Sequence, residues 1–257
     1  MPTGTQSIRR SVAILREVAT YNLNGIRLVD LAANLGLERS TAHRILQCLV
    51  YEGLIHEKNP GNRYVLGPLA FELGLAARRR FDVTSIFLPH MQSLADETGD
   101  VVFLSVRSSL AITCIARVDG TYPIKAYTLD VGQRRPMGFG CVGTAMLTLM
   151  SDEEVHSILA MNAQALQTYG ATTVAEAFER VTRARELGYA LHARPTLGLK
   201  SIAVPVADAA GKPAAVLSIC AIARRLEGAR LETLAESLQR YGAAAAGDFS
   251  AHRQSDA

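Results

Sequence analysis

The 257-residue sequence predicts an α+β protein in which a small helical unit at the N-terminus precedes a larger unit built on an antiparallel sheet. Two observations lead to this prediction. Apolar residues recur at helical spacing in the first part of the chain, whereas strand-like and helix-like segments follow in blocks after residue 80. The charge is also uneven, because residues 1–80 hold eleven Lys and Arg against six Asp and Glu, whereas residues 81–257 hold sixteen against eighteen. A basic end on a mildly acidic body indicates a polyanion-binding module attached to a second domain.

Three helices are predicted at the N-terminus from apolar stripes and the residues that interrupt them. Residues 7–20 carry one stripe, and a shorter stripe over 28–35 is followed by Gly36, where helices commonly end on a left-handed residue. The third helix spans residues 38–51, and its apolar face consists of Ala42, Ile45, Leu46, Leu49 and Val50. A tight turn therefore separates the second helix from the third.

A hairpin is expected next. Residues 54–57 and 63–66 are short strand-like runs, and residues 58–62 between them are rich in turn formers. The order helix, helix, tight turn, helix and hairpin is that of a winged helix-turn-helix.

The remainder of the chain is predicted to be mixed. A helix over residues 68–80 ends in three arginines and is interpreted as a linker. Further helices are predicted at 84–98, 141–150, 152–160, 173–187 and 228–246, and strands at 101–107, 111–118, 124–129, 201–206 and 214–221. Strands, then helices, then strands imply a largely antiparallel sheet.

Several classes of protein are excluded by the sequence. No apolar run approaches the roughly 18 to 20 residues of a membrane span, and no apolar leader opens the chain, so we expect a cytoplasmic protein without a membrane segment. The four cysteines lie far apart, which argues against a zinc site and a disulfide framework. We also find no histidine pair with metal-ligand spacing and no nucleophile motif, so neither metal, cofactor nor catalytic residue is expected.

One glycine pattern needs interpretation. Residues 138–143 match G-x-G-x-x-G, a pattern that binds dinucleotides when a buried strand directly precedes it. Here a polar segment that ends in Pro136 precedes the pattern. We interpret these glycines as allowing a tight loop and close helix packing.

The third helix carries the candidate DNA contacts. A recognition helix needs an apolar back and polar or cationic residues at its front, and the major groove is wide enough to admit it. The candidates on this helix are Arg39, Ser40, Thr41, His43, Arg44 and Gln47, and those on the wing are Lys58, Asn59, Asn62 and Arg63. Any amphipathic helix has a solvated face, but the tight turn, the hairpin and the basic charge together favour DNA binding.

These segments resemble the IclR-type family of transcriptional regulators. In the first domain the similarity rests on residues 7–15, 28–32, 35–46, 52–55 and 63–67, and it includes the string Ser40-Thr41-x-His43-Arg44. In the rest of the chain it rests on residues 97–99, 132–137, 188–190, 202–206 and 216–220. The resemblance covers about residues 7–240.

The resemblance implies a GAF-like C-terminal domain that binds a small organic effector, often a carboxylate or an aromatic acid. It also implies a homodimer or a homotetramer. The pocket is expected between one face of the sheet and the loop 136–143. The carried-over effector residues are Met137, Phe139, Cys141 and Gly143 from that loop and Ser201, Ser218 and Cys220 from the sheet. Short polar groups on an apolar floor can hydrogen-bond the oxygens of a ligand.

The sequence departs from the family pattern at three places. Thr144 stands where the family often has lysine, Ser201 replaces a common cysteine, and the stretch 192–198 lacks the acidic pair of many members. Arg194 in that stretch is open to two interpretations, a contact to an anionic ligand or a surface arginine. The identity of the effector is therefore not determined.

We expect a ligand-responsive, sequence-specific regulator that binds an operator in double-stranded DNA. The expected domains are a winged helix-turn-helix domain (1–67), a linker helix (68–80), an effector-binding and oligomerisation domain (81–250) and a flexible tail (251–257). Two alternatives remain at this point, a metabolic enzyme with an appended nucleic-acid-binding module and a non-specific nucleic-acid or protein adaptor.

Overall fold

A computed structural model describes residues 5–58, 62–81 and 83–255, with the backbone alone described at 78–81 and 252–255. The chain divides into two compact units, Met1–Asp82 and Val83–Ala257. The first unit has one apolar core, and the second has two, one on each face of its sheet.

Three helices enclose the core of the first unit. They are α1 (Gln6–Thr20), α2 (Leu28–Leu35) and α3 (Arg39–Tyr51). Ile14, Leu31 and Leu46, one from each helix, are completely buried in this core. Their burial follows from the helical spacing of apolar residues in the sequence.

The turn between α2 and α3 depends on Gly36. This residue has a φ of +60°, which glycine adopts without steric cost. The N–H of Leu37 donates to the carbonyl oxygen of Ala32 at 2.9 Å, as in a Schellman end. The predicted tight turn is therefore present and brings α3 directly after α2.

A small antiparallel sheet completes the first unit. Its strands are β1 (Ile26–Arg27), β2 (Ile55–Lys58) and β3 (Arg63–Leu66), in the order β1-β3-β2. The two-residue β1 was not predicted, because so short a run has no periodicity of its own. Of the residues between β2 and β3, 59–61 lie outside the described part. Helix α4 (Pro68–Phe81) follows.

The second unit contains a six-stranded sheet between two layers of helices. The strands are β4 (Val101–Ser108), β5 (Ala111–Val118), β6 (Arg134–Pro136), β7 (Ala190–Arg194), β8 (Leu199–Ala207) and β9 (Pro213–Ile222). Their order is β6-β5-β4-β9-β8-β7, and every neighbouring pair is antiparallel.

The helices divide between the two faces of this sheet. Those of the second unit are α5 (Val83–Thr98), α6 (Gly140–Leu147), α7 (Asp152–Met161), α8 (Ala163–Gly170), α9 (Val174–Leu187) and α10 (Gly228–Ser255). Helices α5 and α10 contribute to one apolar cluster, and α6 to α9 contribute to the other. Because β4 and β9 lie in the middle of the sheet, they are buried on both faces.

Three sequence predictions about this unit are wrong. Residues 124–129 do not form a strand, because β6 occupies the free edge of β5 and leaves that segment without a ladder to join. The loop predicted over 136–143 is shorter, because α6 begins at Gly140. The predicted tail at 251–257 is helical as far as Ser255, because α10 continues through it. Strand β7 and helix α8 were not predicted.

Within the described ranges, no helix combines the length and the apolar character needed to cross a membrane.

Candidate functional site

Helix α3 presents a polar front and an apolar back. Arg39, Ser40, His43, Arg44 and Gln47 are exposed, and Thr41 is half-buried. On the opposite side Ala42, Leu46 and Leu49 are buried in the core. The front residues follow one another at helical spacing and therefore form one continuous polar stripe.

Part of this stripe lines an open groove between α3 and the β2–β3 hairpin. Of the predicted DNA contacts, the groove includes Arg39, Ser40, His43, Gln47 and Asn62. Thr41, Arg44, Lys58 and Arg63 lie outside its lining. Arg27, Glu38 and Glu57 also line the groove and were not predicted. The groove lining therefore holds two arginines, Arg27 and Arg39, and two carboxylates, Glu38 and Glu57.

The first turn of α3 has free backbone donors. Glu38 precedes the helix, and its side chain makes no capping hydrogen bond. The first N–H groups of a helix have no partner within the helix, and the helix dipole makes this end positive. The exposed Arg39 and Ser40 lie at the same end. This combination suits the binding of a phosphate oxygen.

Two predicted contact residues are held by the protein itself. The Nη1 of Arg63 donates to the carbonyl oxygen of Gly25 at 2.8 Å. Gln47 is hydrogen-bonded to the hydroxyl of the buried Tyr64, whose pKa is raised chiefly by burial. Gln47 is thereby oriented at the groove, whereas Arg63 is held outside its lining. Asn59, a further wing candidate, lies outside the described residues.

The second unit contains a cavity of about 30 Å³ between the sheet and the start of α6. Its floor comes from the middle strands. Ser218 lies opposite Phe103 in the β4–β9 pair, and Cys220 lies opposite Ser201 in the β8–β9 pair. Since directly paired residues project to the same face, and so do residues two apart on one strand, these four side chains share the cavity floor.

Five of the seven predicted effector residues line this cavity, and two do not. Those that do are Phe139, Cys141, Ser201, Ser218 and Cys220. Met137 is instead fully buried in the apolar cluster on this face of the sheet. Gly143 packs within α6, where an added Cβ would lie 3.0 Å from the nitrogen of Gly138 and from the carbonyl oxygen of Pro136. Gly143 therefore allows α6 to approach the preceding loop, which is a structural role.

The start of α6 faces the cavity. Gly140, Cys141 and Val142 form its first turn and belong to the cavity lining. Phe139 precedes the helix in an extended conformation, and its side chain cannot cap it. The positive end of the helix dipole therefore lies at the cavity wall.

The glycine pattern at 138–143 does not form a dinucleotide site. A dinucleotide fold requires a buried parallel strand before the helix, whereas β6 is an antiparallel edge strand. Gly138 and Gly140 have φ values of +91° and +67°, so they permit the tight turn into α6.

Positive charge lines one side of the cavity. Arg135, His192 and Arg194 contribute to its wall, and no Asp or Glu is among its lining residues within the described ranges. Burial is the main cause that lowers the pKa of Arg135, and the charge of Arg194 lowers it further. Burial also lowers the pKa of His192 to about 4, with contributions from three neighbouring arginines. His192 is therefore neutral at neutral pH.

The two cavity cysteines are protonated. Burial raises the pKa of Cys141 to about 12 and also raises the pKa of Cys220. Since the thiolate is the reactive form, neither side chain is an activated nucleophile. They contribute small, weakly polar surface to the cavity.

The sequence did not indicate Arg135 or His192 as cavity residues. It allowed two interpretations of Arg194, a contact to an anionic ligand or a surface arginine. Arg194 is half-buried and lines the cavity. His192 and Arg194 are two residues apart on β7 and therefore point to the same face. A strand predicted over residues 190–194 would have placed both side chains on one face of the sheet, but β7 was not predicted.

Comparison with known proteins places both units in one family. The model described as "Bacterial transcriptional regulator IclR C-terminal" matches residues 75–246, and the "IclR helix-turn-helix domain" model matches residues 7–58. The HTH-type transcriptional regulator BhcR of Paracoccus denitrificans is 26% identical over 237 residues, which cover 91% of this chain and 84% of that protein. The glycerol operon regulatory protein of Streptomyces griseus is 29% identical, with 98% and 100% covered.

Solved structures show the same fold. An IclR transcriptional regulator from Alicyclobacillus acidocaldarius has a TM-score of 0.71 at 24% identity and covers 94% of this chain and 98% of its own. An IclR homolog from Microbacterium hydrocarbonoxydans, solved in complex with 4-hydroxybenzoate, has a TM-score of 0.69 at 21% identity, with 96% and 100% covered.

The matching families and relatives regulate transcription and are not enzymes, so the alternative of a metabolic enzyme is set aside. The chain belongs to the IclR family of bacterial transcriptional regulators, with a DNA-binding helix-turn-helix domain and the C-terminal effector-binding domain of that family.

Proposed function

We propose that this regulator binds its operator through α3 and the wing and responds to a small organic acid bound in the cavity of the second unit. The observation that carries the proposal is the polar stripe of α3, which is exposed at the front and anchored by buried residues behind. The proposed boundaries are 1–67 for the DNA-binding domain, 68–80 for the linker helix and 81–250 for the effector domain.

The DNA contacts divide into two kinds. Arg44 and His43 are exposed on α3 and are proposed to reach base edges, together with Gln47. Arg39, Ser40 and Thr41 lie at the positive end of the helix and are proposed to contact phosphates. Lys58, Asn62 and Arg63 are proposed to meet the backbone or the minor groove from the wing.

The effector is proposed to bind with an acidic group near the start of α6. Backbone donors of α6, the hydroxyls of Ser201 and Ser218 and the neighbouring arginines can all donate to an oxyanion. The solved relative that contains 4-hydroxybenzoate supports an aromatic acid as a candidate. Pockets for organic ligands measure roughly 300–1,000 Å³, whereas this cavity measures about 30 Å³. Such a ligand must therefore displace part of the cavity lining. Phe139 lies between Gly138 and Gly140, whose backbone freedom can allow its side chain to move.

Two or four copies of the chain are proposed to act together in the cytoplasm, where the DNA of a bacterium is found. Two winged helices on one duplex nearly add their binding free energies and favour a palindromic operator. Ile8 is 64% exposed on α1, and Phe71 and Leu75 are 68% and 51% exposed on α4. Apolar side chains of this kind suit contacts between copies. Analytical ultracentrifugation measures the oligomeric state. A monomer at the protein concentration used for operator binding contradicts the proposed oligomer.

Switching is proposed to work by differential affinity. An effector that binds one arrangement of the oligomer more tightly shifts the population toward it and changes the spacing of the two α3 helices. Identical solution scattering and operator affinity with and without a bound acid contradict this account.

The experiment that tests the function is footprinting on the DNA upstream of the neighbouring genes, with full-length protein and with 4-hydroxybenzoate and related acids as probes. We expect a protected, roughly palindromic site whose occupancy changes with one of the acids. Equal affinity for that DNA and for scrambled duplex supports the non-specific adaptor instead.

Ser218→Ala and Cys220→Phe are expected to alter the response to the acid and to leave acid-free operator binding unchanged.

A further inference from the structure

Three arginines from three different elements surround His192. Arg135 lies on β6 and Arg194 on β7, and both line the cavity. Arg180 lies on α9, which packs against β7, and it is close enough to His192 to disfavour a positive charge there. No lining residue in the described ranges is acidic. Positive charge is therefore concentrated here without a compensating carboxylate in the cavity wall.

Part of this charge has no hydrogen-bond partner. The Nε of Arg135 and both the Nε and the Nη2 of Arg180 are enclosed and unpaired within the described part of the chain. Arg135 uses its Nη2 to donate to the carbonyl oxygen of Thr128 at 2.5 Å. On α9, Glu176 lies one turn from Arg180, and its negative charge partly offsets that of Arg180. The hydrogen bonds that its carboxylate accepts come from the N–H and the hydroxyl of Thr173.

Another buried charge in the same unit shows what compensation looks like. Asp100 is almost fully buried and receives hydrogen bonds from Arg225 and Arg230, each at 2.8 Å. A buried ion without such a partner is strongly unfavourable. The three arginines around His192 are half-buried, and only Arg180 has a carboxylate, that of Glu176, acting on it. A bound anion is therefore the natural partner for the unpaired donors of Arg135 and Arg180.

The number of charges bears on the ligand. Arg135, Arg180 and Arg194 carry three positive charges, and Glu176 beside Arg180 offsets one of them. A monocarboxylate compensates one of the remaining two charges, whereas two acidic groups compensate both and use more of the unpaired donors. We propose that the effector of this regulator is a small organic dianion, with one acidic group at Arg135 and Arg194 and the second toward Arg180. This inference rests on the proposed function, because it concerns the same cavity.

The test is calorimetric titration of the full-length protein with matched probes at about pH 7.5, where carboxylates are ionised. Succinate is compared with butyrate, and isophthalate with benzoate. Phenyl phosphate is included to distinguish a phosphate group from a second carboxylate. We expect at least one dianion to bind at least tenfold more tightly than its monoanionic counterpart and to shift operator affinity.

The variant Arg180→Met is expected to reduce this preference to within about threefold, because it removes one positive charge while keeping an apolar stem. Arg183→Met is the matched control, since Arg183 is exposed on the same helix and its loss changes the net charge equally. The control is expected to keep the preference. If Arg180→Met does not fold, Arg180→Gln, which removes the same charge and keeps a polar side chain, provides the same test.

The possible negative results distinguish failure of the dianion proposal from failure of the proposed function. Monoanions that bind as tightly as dianions and shift operator affinity overturn the dianion proposal and leave the proposed function in place. Failure of every probe to bind at millimolar concentration overturns the dianion proposal, whereas the proposed function is overturned only if footprinting shows no preferred DNA site. An equal loss of preference in Arg180→Met and Arg183→Met also overturns the proposal, because general charge then explains the effect.

Discussion

Arginine side chains occupy two contrasting environments in this protein. On α3, Arg39 and Arg44 are exposed, and their charges are hydrated and screened by salt. Around the cavity of the second unit, Arg135 is largely enclosed and carries an unpaired donor. An exposed arginine costs little to maintain and acts by adding to a long-range field. A buried one is unfavourable until a specific partner binds, so it selects that partner.

The contrast matches the two kinds of anion that we propose for the two units. DNA offers many phosphates at regular spacing, which suits a flat row of exposed cations. A metabolite offers one or two acidic groups, which suits an enclosed site with few donors in fixed positions. Four measurements can test this difference between the exposed arginines of α3 and the enclosed arginines of the cavity, and the largest effect is expected from salt.

Salt separates the two environments most strongly. If the regulator contacts about six to ten phosphates, raising salt from about 50 to about 200 mM should weaken operator binding by about 10³–10⁵-fold. Binding of the acid in the cavity should change by less than about tenfold, because enclosed charges are screened less. Fluorescence anisotropy for DNA and calorimetry for the acid measure both. Equal salt dependence for the two ligands contradicts the contrast.

Geometry is separated from charge by Leu46→Ala. Leu46 is fully buried behind the polar stripe of α3. Its truncation should destabilise the first unit by about 2–5 kcal/mol and weaken operator binding, although every cation is retained. Chemical denaturation and anisotropy measure this. Binding of the acid by the second unit is the control, and an unchanged operator affinity in a destabilised protein would show that charge alone is sufficient.

The role of a single exposed arginine is tested by Arg44→Ala. If Arg44 makes a bidentate base contact, operator affinity should fall by about 1–3 kcal/mol with relaxed specificity. If it touches only phosphate, all sequences should weaken alike and the salt slope should fall by about one. Arg16→Ala is the matched control, because Arg16 is an exposed cation on α1. An equal loss in both variants removes Arg44 from the interface.

The burial of His192 predicts that folding stability depends on pH, with an effect smaller than those of the variants above. The pKa of His192 lies at about 4 in the folded chain, below its ordinary value of 6.5. Between these values the unfolded chain binds a proton that the folded chain does not, so stability falls as pH decreases through this window. His192→Gln should reduce that dependence, and a bound dianion should reduce it in the wild type. Denaturation at about pH 7 and about pH 5 measures both, and identical slopes in wild type and variant contradict the prediction.

Much of the first unit followed from local sequence patterns. The stripes that bury Ile14, Leu31 and Leu46, and the glycine that ends α2, are visible within a few residues of each other. Helical periodicity and a left-handed glycine are properties of a short segment, so they can be predicted without the rest of the chain. The exposed front of α3 followed from the same pattern.

The cavity was only partly predictable. Phe139, Cys141, Ser201, Ser218 and Cys220 were assigned to it through family resemblance, and the structure brings these five together. Residues 137 and 143 were assigned by the same resemblance, but Met137 lies in the turn before α6 with its side chain buried in the apolar cluster, and Gly143 packs against that turn. Side-chain direction near a turn depends on where the helix starts, which the sequence pattern predicted only to within a few residues.

The sequence by itself determined the order of the three helices and the hairpin in the first unit, the amphipathic character of α3 and the excess of positive charge before residue 80, because each is a property of neighbouring residues. Only the tertiary structure decided that β6 takes the free edge of β5 and that Arg135 and Arg180 come close to His192 and Arg194 on β7. These residues are separated along the chain and meet through the pairing of strands and the packing of α9 on β7. Such contacts depend on which strand edges and helix faces remain available once the core has formed, and no short segment of sequence carries that information.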